Sequence, residues 1–392
     1  MNKYFLDLGY QPLANKFLKK YKKKQNKYKL KLYFNTKNKL VSISKRIPSE
    51  KMFDNKYPYR SSMSLTMRES FKKLSKEIKK KFRPKLMLEI GSNDGALIKN
   101  FKKENVIGIE PCKNLARHTK NKGFVTYDNY WNFKLSKKLK SKHGEFDLIY
   151  SANTLTHISN LKEVFISIKH LLSKNGILII EDPSLIECLK KTSYDQFYNE
   201  HIYLFSAISL KNILKEFNLE IFDIKNLKTH GGSLRYYIKR KNNKKFNQTL
   251  RLKDQFKREF KYGLDKLQTF KNFASKSYKS KIKLINILRK IKRMKKKVLG
   301  YGATAKAVTI LNYCNINEDL IYNFTDTTPD KINKFMPGKN IKILKYKKKI
   351  LNKYDYVFLG AWNFKNEILK KEKRFKKRGG KFITHVPYPR LF

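Results

Sequence analysis

Apolar and polar positions alternate through residues 86–182 in a rhythm of short strands and longer helices. The predicted strands are the apolar runs at residues 86–90, 106–110, 124–127, 147–151 and 177–181. Helical segments are predicted between them, near residues 96–103, 112–121 and 160–173. Strands that alternate with helices in this way predict an α/β fold, with a parallel sheet covered by helices on both faces.

A second strand–turn–helix pattern begins at Val298. Further apolar runs follow it at residues 321–324, 356–360 and 382–386. The preceding interval, 241–296, is charged, lacks proline and contains only Gly263 as a helix breaker, so it predicts one or two helices. The expected parts are therefore an N-terminal region at 1–56, a sheet domain at 57–240, a helical linker at 241–296 and a smaller Rossmann-like domain at 297–392.

The N-terminal region is rich in lysine and contains two short β-like pieces, at residues 28–34 and 39–44. A turn broken by proline follows at residues 57–62, and a helix is predicted from about Ser64 to Lys81. The turn either provides the entry to that helix, with an N-cap serine, or supplies its two serines and two tyrosines as ligands to a nearby site.

The first strand of the central domain leads into a glycine turn at residues 91–95, Gly-Ser-Asn-Asp-Gly. The next strand ends in Glu110, 19 residues after Gly91. Glycine lets the backbone approach a ligand closely, and an acid at about this spacing accepts hydrogen bonds from ribose hydroxyls. The dinucleotide fingerprint Gly-x-Gly-x-x-Gly is absent, so the turn favours a cofactor with a ribose and no phosphate, such as S-adenosylmethionine.

The charge of the chain is strongly positive. It has 91 lysines and arginines against 31 acids, a formal net charge of +60. Only 14 of the 91 are arginine, and the positive residues are spread along the whole length. A nucleic-acid surface would concentrate them in one segment or on one face, so we interpret the charge as a solvated coat and expect no specific nucleic-acid partner.

Cysteine content and hydropathy predict the compartment. Cys112, Cys188 and Cys314 lie far apart and form no paired motif, which favours a reducing environment. No apolar stretch is long enough to span a membrane, and the N-terminus shows no signal-peptide run. We therefore expect a cytoplasmic protein, and the sequence does not indicate its oligomeric state.

The segment 194–206 carries more aromatic and ionisable residues than an ordinary loop. Tyr198, Glu200 and His201 place a phenol, a carboxylate and an imidazole within four residues, and in a helix Tyr198 and His201 would share one face. Groups of these types serve general acid–base catalysis. Further along, His230 begins the string His-Gly-Gly-Ser-Leu-Arg before a predicted strand at 236–238; it either caps that strand or contributes to a site.

Several short sequence motifs, taken in their order along the chain, resemble those of a known protein family. They lie at residues 7–15, 57–62, 88–95, 109–111, 198–201, 230–235, 300–306 and 361–364. The most specific are Tyr-Asn-Glu-His, His-Gly-Gly-Ser-Leu-Arg and Gly-Tyr-Gly-Ala. Over nearly its full length the chain resembles the C-methyltransferases that act on nucleotide-linked keto-deoxysugars. The resemblance implies a Rossmann-like class I methyltransferase domain, a second Rossmann-like domain and S-adenosylmethionine as the cofactor.

The resemblance also implies catalytic roles. In that family a base removes a proton beside a sugar ketone, and the enolate carbon then takes the methyl group. His201 is the expected base, Glu200 orients it or holds a sugar hydroxyl, and Tyr198 donates to the enolate oxygen. His157 matches a further histidine of the pocket or is structural. The remaining histidines are expected to be ordinary surface or packing residues: His118, His143, His170 and His385.

Two sets of binding residues are expected. The cofactor set lies mainly at strand ends and comprises Glu89, Gly91, Ser92, Asn93, Asp94, Gly95, Glu110, Pro111, Asp128, Ala152 and Asn153. The set for the nucleotide-sugar substrate comprises Tyr59, Ser61, Ser62, His230, Gly231, Gly232, Arg235, Tyr301 and Lys306. The turn at residues 300–306 either positions the nucleotide diphosphate or is a plain packing turn.

An N-terminal zinc-binding domain is a further implication of the resemblance, but the expected ligands are missing. Asn35 and Asn38 stand where a cysteine pair is expected, and zinc prefers thiolate or imidazole ligands. We therefore expect no metal and a degenerate, metal-free region at residues 1–56.

Two other functions compete with this interpretation. An O- or N-methyltransferase for another small molecule would use the same cofactor, but it would need no base matched to an enolate. A basic nucleic-acid-binding protein would use the charge, but the sequence lacks any recognisable RNA-binding module.

Overall fold

A computed structural model describes residues 1–44 and 47–392. The strands of these residues are β1 (Asn2–Gln11), β2 (Tyr28–Asn35), β3 (Val41–Ile43), β4 (Met87–Ile90), β5 (Val106–Ile109), β6 (Val125–Tyr127), β7 (Phe146–Ala152), β8 (Leu172–Pro183), β9 (Tyr203–Leu204), β10 (Leu219–Leu227), β11 (Ser233–Arg240), β12 (Val298–Tyr301), β13 (Asn323–Asp326), β14 (Ile343–Lys345), β15 (Tyr356–Leu359), β16 (Lys381–Thr384) and β17 (Arg390–Leu391). The α-helices are α1 (Ser49–Met52), α2 (Leu65–Lys81), α3 (Lys113–Lys120), α4 (Phe133–His143), α5 (Leu161–Leu171), α6 (Leu185–Lys190), α7 (Ala207–Lys215), α8 (Leu250–Tyr262), α9 (Leu267–Arg293), α10 (Ala305–Tyr313), α11 (Lys365–Lys371) and α12 (Lys373–Lys377).

The central sheet is doubly wound. Its strand order is β10-β11-β8-β7-β4-β5-β6, and β4 to β8 all run parallel. β11 pairs antiparallel with both β8 and β10, so it alone is reversed within this sheet. The chain leaves β4 toward β5 on one side and later returns to β7 on the other. This switch in strand order opens a crevice at the carboxyl ends of β4 and β7, where ligands bind in such folds.

The C-terminal sheet repeats this design on a smaller scale. Its order is β14-β13-β12-β15-β16-β17, with only β17 antiparallel. The switch in strand order falls between β12 and β15. The predicted α/β class with a second, smaller Rossmann-like unit is confirmed.

An antiparallel sheet forms at the N-terminus from β1, β2 and β3, and β9 of the central region completes it. β1 was not predicted from the sequence. Phe34 of β2 stacks on Phe270 of α9 with ring centroids 4.5 Å apart, so this sheet packs on the long helix. The Asn35 side-chain oxygen accepts from the backbone N–H groups of Lys37 and Asn38, which stabilises the β2–β3 turn.

Local predictions near the first glycine turn have mixed outcomes. α2 begins after Ser64, whose hydroxyl accepts from the N–H of Met67, so the predicted helix and N-cap are confirmed. The helix predicted near 96–103 is wrong, because only a 3-10 turn forms at Ile98–Asn100. The Asn100 amide bonds back to the carbonyls of Ala96 and Leu97, and this competition with the backbone ends the helix early.

The described helices include none that combines the length and apolar character needed to cross a lipid bilayer. α9, the longest at 27 residues, illustrates why. One of its faces is buried through residues such as Phe273, Leu284 and Leu288, whereas its other faces carry many lysines.

Candidate active site

A cavity of about 400 Å³ lies where the central, C-terminal and N-terminal parts meet. The first glycine turn, at residues 91–95, and the second, at residues 300–306, both open onto it. Sixteen of the predicted site residues line it: Tyr59, Ser61, Glu89, Gly91, Ser92, Asn93, Glu110, Pro111, Ala152, Asn153, His157, Tyr198, His201, His230, Tyr301 and Lys306. The fold therefore brings most of the two predicted binding sets into one space.

The first glycine turn is held tightly against the next strand and the end of β7. Gly91 has φ +77°, and a Cβ there would lie 2.0 Å from the Thr154 hydroxyl oxygen. The two Glu110 oxygens accept from the N–H groups of Asn93 and Cys112, at 2.9 and 2.8 Å. Each carboxylate oxygen has a second lone pair, so Glu110 keeps acceptor capacity toward the cavity.

Acidic side chains are concentrated beneath this turn. Glu89 is 3% exposed, and its Oε2 has no hydrogen-bond partner. Burial, together with the neighbouring carboxylates of Glu110 and Asp94, raises the pKa of Glu89 well above its usual value. A bound cation would relieve this repulsion. The site therefore fits S-adenosylmethionine, which carries a sulfonium and an ammonium group beside its ribose.

Tyr198 and His201 form a hydrogen-bonded pair of a phenol and an imidazole at the cavity. The Tyr198 hydroxyl lies 2.6 Å from His201 Nε2, and His201 Nδ1 lies 2.7 Å from the carbonyl oxygen of Gln196. A carbonyl can only accept, so Nδ1 carries the proton and Nε2 accepts from the phenol. Burial, followed by neighbouring His157, lowers the pKa of His201 well below its usual value, so the imidazole is neutral at pH 7. The segment is not helical; a short turn brings the two side chains together.

His157 extends the pair into a stack of rings. Its ring lies between those of Phe53 and His201, with centroids 5.4 and 5.1 Å away and nearly parallel planes. Burial lowers the pKa of His157 to about 4, and its Nε2 has no hydrogen-bond partner. His157 is therefore a neutral imidazole with a free polar atom at the cavity wall.

Glu200 occupies a different position from the one expected. Its carboxylate accepts from the Tyr57 hydroxyl at 2.8 Å and from Asn15 Nδ2 at 2.9 Å, and it makes no hydrogen bond to the His201 imidazole. The expectation that Glu200 orients His201 directly is therefore wrong. The turn at 198–201 directs the two neighbouring side chains differently, and the Gln196 carbonyl orients the imidazole instead.

The C-terminal sheet supplies a buried cation to the cavity. Lys306 donates to the carbonyl oxygen of His230 at 3.2 Å and lies 5.0 Å from the centre of the Trp362 ring. Burial lowers the pKa of Lys306 to about 8, although the charge of Asp195 opposes this shift. Burial also lowers the pKa of His230, to about 3, so this imidazole is neutral as well.

Asp195 and His385 were not recognised from the sequence. His385 is fully buried, and its Nε2 lies 3.2 Å from Asp195 Oδ1, so it is more than an ordinary packing residue. The other Asp195 oxygen accepts from the Trp362 indole at 2.6 Å. The two residues are 190 positions apart, and no local pattern signals their contact.

The second glycine turn repeats the arrangement of the first. Asp326, at the end of β13, accepts from the N–H groups of Ala303 and Thr328, both at 2.8 Å. Lys331 Nζ donates to the Ala303 carbonyl at 2.9 Å. Asp326 and Lys331 both line the cavity, and both were missing from the predicted substrate set.

Three predicted residues, Ser62, Asp94 and Gly95, lie in or beside the first glycine turn without lining the cavity. Asp94 accepts from the Ser62 N–H at 3.2 Å and from the Ser62 hydroxyl, which ties the turn to the start of α2. A Cβ at Gly95 would lie 2.7 Å from Thr119 of α3, so this glycine permits close packing. None of the three lines the cavity.

Four other predicted residues lie away from the cavity. Asp128 points outward and pairs with Lys120 at 3.2 Å. Arg235, inside β11, makes a buried ion pair with Glu181 at 3.0 Å. Gly231 and Gly232 form a left-handed turn, and a Cβ at Gly231 would lie 2.3 Å from the Trp362 ring. None of these four residues lines the cavity.

A doubly wound sheet whose glycine turn and acid face a cavity at the carboxyl ends of its strands is typical of a Rossmann-like methyltransferase domain. A family model described as "Methyltransferase domain" matches residues 59–224, and one described as "C-methyltransferase C-terminal domain" matches residues 228–387. The C-methyltransferase NovU of Streptomyces niveus is 29% identical over 310 residues, which cover 78% of this chain and 73% of that protein. The chain belongs to the S-adenosylmethionine-dependent C-methyltransferases.

Solved structures match less than half of the chain, and at lower identity. An S-adenosylmethionine-dependent methyltransferase from Clostridium acetobutylicum is 16% identical, with a TM-score of 0.35, and the match covers 44% of this chain and 91% of that one. The magnesium protoporphyrin IX methyltransferase ChlM from Synechocystis is 14% identical, with a TM-score of 0.34, and the match covers 44% and 83%.

Proposed function

We propose that this C-methyltransferase acts on a nucleotide-linked 4-keto-deoxysugar by forming an enolate beside the ketone. The observation that carries the proposal is the Tyr198–His201 pair, 2.6 Å apart, in the cavity that the first glycine turn also faces. A C–H beside a carbonyl is a weak acid, so its removal needs a positioned base and donors for the developing oxyanion.

His201 is the proposed base. Its Nδ1 proton is held by the Gln196 carbonyl, which leaves Nε2 as the atom that accepts a proton, either directly or through the Tyr198 hydroxyl. Burial raises the pKa of Tyr198 well above its usual value, with a further contribution from Glu200, so the phenol keeps its proton and remains a donor. His157, with its free Nε2, is the proposed second contact to the oxygen or hydroxyls of the sugar.

The first glycine turn is the proposed cofactor site. Glu110 has acceptor capacity for ribose hydroxyls, and Glu89 is a buried carboxyl group whose charged form a cationic ligand would stabilise. S-adenosylmethionine supplies an electrophilic methyl group when it is bound there. Asn93, Ala152 and Asn153 complete the proposed contacts because they line the same side of the cavity.

The C-terminal sheet is the proposed side for the anionic nucleotide. Lys306 brings positive charge to the cavity, whereas Lys331 is paired with Asp326 at 3.8 Å. Tyr301 and Tyr59 line the same cavity. An anionic diphosphate fits this part better than the acidic part beneath the first glycine turn, because the local charges have opposite signs.

Two measurements test removal of the proton and transfer of the methyl group separately. Nucleotide-linked 4-keto sugars are first incubated in D2O with S-adenosylhomocysteine, and exchange of the hydrogen beside the ketone is followed by NMR. S-adenosylmethionine then replaces the analogue, and the methylated carbon is identified. We expect the unmodified protein to carry out both reactions. In His201→Asn the rates of hydrogen exchange and of methyl transfer should each fall by about 10²- to 10⁴-fold.

His143→Asn is the matched control because His143 lies at the end of α4, away from the cavity. It should keep both rates. Full exchange in His201→Asn would overturn the assignment of the base, and methyl transfer to none of the keto sugars would overturn the substrate class.

A further inference from the structure

The loop that follows β1 reaches into the cavity. Asn15 lines it, and Asn15 Nδ2 lies 2.9 Å from both oxygens of Glu200, 185 residues away. The Tyr57 hydroxyl donates to the same carboxylate at 2.8 Å. Glu200 is 1% exposed, so these two donors provide the hydrogen bonds that a buried carboxylate needs.

The N-terminal sheet and the loop after β1 make hydrogen bonds to the segment around residues 198–201 on both sides of Glu200. Asn199 Nδ2 donates to the Pro12 carbonyl at 3.1 Å, and the Ile43 N–H donates to the Ile202 carbonyl at 2.9 Å. Immediately afterwards, β9 pairs with β3. The turn that carries Tyr198 and His201 is thus fixed by contacts from residues 11–15 and from β3.

We infer that the N-terminal sheet is part of the active site, and that Asn15 is a positioning residue whose amide favours the charged form of Glu200 beside Tyr198. This inference rests on the proposed function for the role of Tyr198, but the contacts of Asn15 do not depend on the substrate. An amide that donates to a carboxylate favours its charged form. Negative charge on Glu200 adds to the effect of burial in raising the pKa of the neighbouring Tyr198 phenol, and so it further opposes ionisation of the group that donates to His201.

The other ionisable groups around Glu200 allow its own titration to be followed near neutral pH. Those that face it are the phenols of Tyr57 and Tyr198, the Cys112 thiol, and the Lys16 ammonium, which pairs with Asp54. Burial raises the pKa of both phenols and of the thiol, so they keep their protons near neutral pH. Burial likewise raises the pKa of Glu200 to about 7, although Tyr57 and Asn15 oppose the shift.

The test compares the melting temperatures of Asn15→Leu and the unmodified protein between pH 5 and pH 9. The hydrogen bond from Asn15 stabilises the fold most when Glu200 is charged. The difference in melting temperature between the two proteins, referred to below as the gap, should therefore widen by a few degrees as the pH rises through about 7. In a Glu200→Gln background the gap should lose its pH dependence. Asn26→Leu, at an exposed amide of the same N-terminal region, should show a constant gap.

A gap that is constant with pH, or that keeps its pH dependence in the Glu200→Gln background, would overturn the inference. If Asn15→Leu does not fold, Asn15→Ser takes its place in the same comparison. With an active substrate, Asn15→Leu should lower kcat about tenfold with little change in the KM for S-adenosylmethionine. If every keto sugar is inert, the melting comparison still decides the role of Asn15, so the two proposals fail independently.

Discussion

The hydroxyl oxygen of Tyr198 lies 2.6 Å from Nε2 of His201, and both side chains face the cavity shared by the two Rossmann-like sheets. This contact links a proton acceptor to a proton donor at the point where a substrate between the two sheets would lie. The pair depends on a turn that the sequence pattern does not describe, and its consequences are measurable.

Tyr198→Phe removes the hydroxyl and leaves His201 in place. We expect the rate of methyl transfer to fall by about 10²- to 10⁴-fold, because the oxyanion and His201 both lose a donor. Affinity for S-adenosylmethionine, measured by calorimetry, should not change. Tyr278→Phe, which alters a side chain 58% exposed on α9, should leave the rate unchanged. An equal loss in both variants would contradict the assigned role.

Glu110 and Asp128 provide a matched pair of acids, each just beyond a neighbouring strand of the central sheet. Glu110→Gln should weaken S-adenosylmethionine binding by roughly 10- to 100-fold, the value of a hydrogen bond to a charged group. Asp128→Asn should bind normally because its carboxylate faces Lys120 outside the cavity. Calorimetric titration of both variants checks this, and a similar loss in Asp128→Asn would contradict the placement.

Gly91 and Gly144 share φ +77° but differ in their surroundings. Gly144→Ala has nothing within 4 Å of the new Cβ, so it should cost only backbone strain, about 1–3 kcal/mol. Gly91→Ala must also displace Thr154, and we expect it to lose cofactor binding. Unfolding in urea and calorimetric titration measure the two effects, and normal affinity in Gly91→Ala would contradict the tight turn.

Arg235 was expected to bind substrate but forms a buried ion pair. Arg235→Met should destabilise the fold by about 3–5 kcal/mol, because Glu181 is left as an uncompensated buried charge. Lys140→Met, which breaks the more exposed contact with Glu145, should cost no more than about 1 kcal/mol. Urea unfolding measures both free energies. A stable Arg235→Met protein with a raised substrate KM would restore the original expectation.

Lys306 predicts a pH dependence for anionic ligands. Its ammonium is charged below a pKa of about 8 and neutral above it, so affinity for a nucleoside diphosphate should fall as the pH rises through 8. Lys306→Met should bind weakly and with a flat profile near that pH. Lys290→Met, at an exposed position on α9, should keep the original profile. Titration with UDP between pH 7 and pH 9 makes the comparison.

Local patterns determined the fold class and the position of the first glycine turn. The apolar runs around residues 86–182, the turn beginning at Gly91 and the spacing to Glu110 are properties of neighbouring residues, and the backbone follows them directly. The second unit beginning at Val298 was predictable for the same reason.

Tertiary structure alone decided which side chains share the cavity. Glu200 and His201 are adjacent, yet one meets Asn15 and the other meets Tyr198, because the intervening turn directs them differently. Asp195 meets His385 only after both sheets have packed. Hydrophobic periodicity reports local backbone conformation and burial, whereas contacts between distant residues depend on the path of the whole chain.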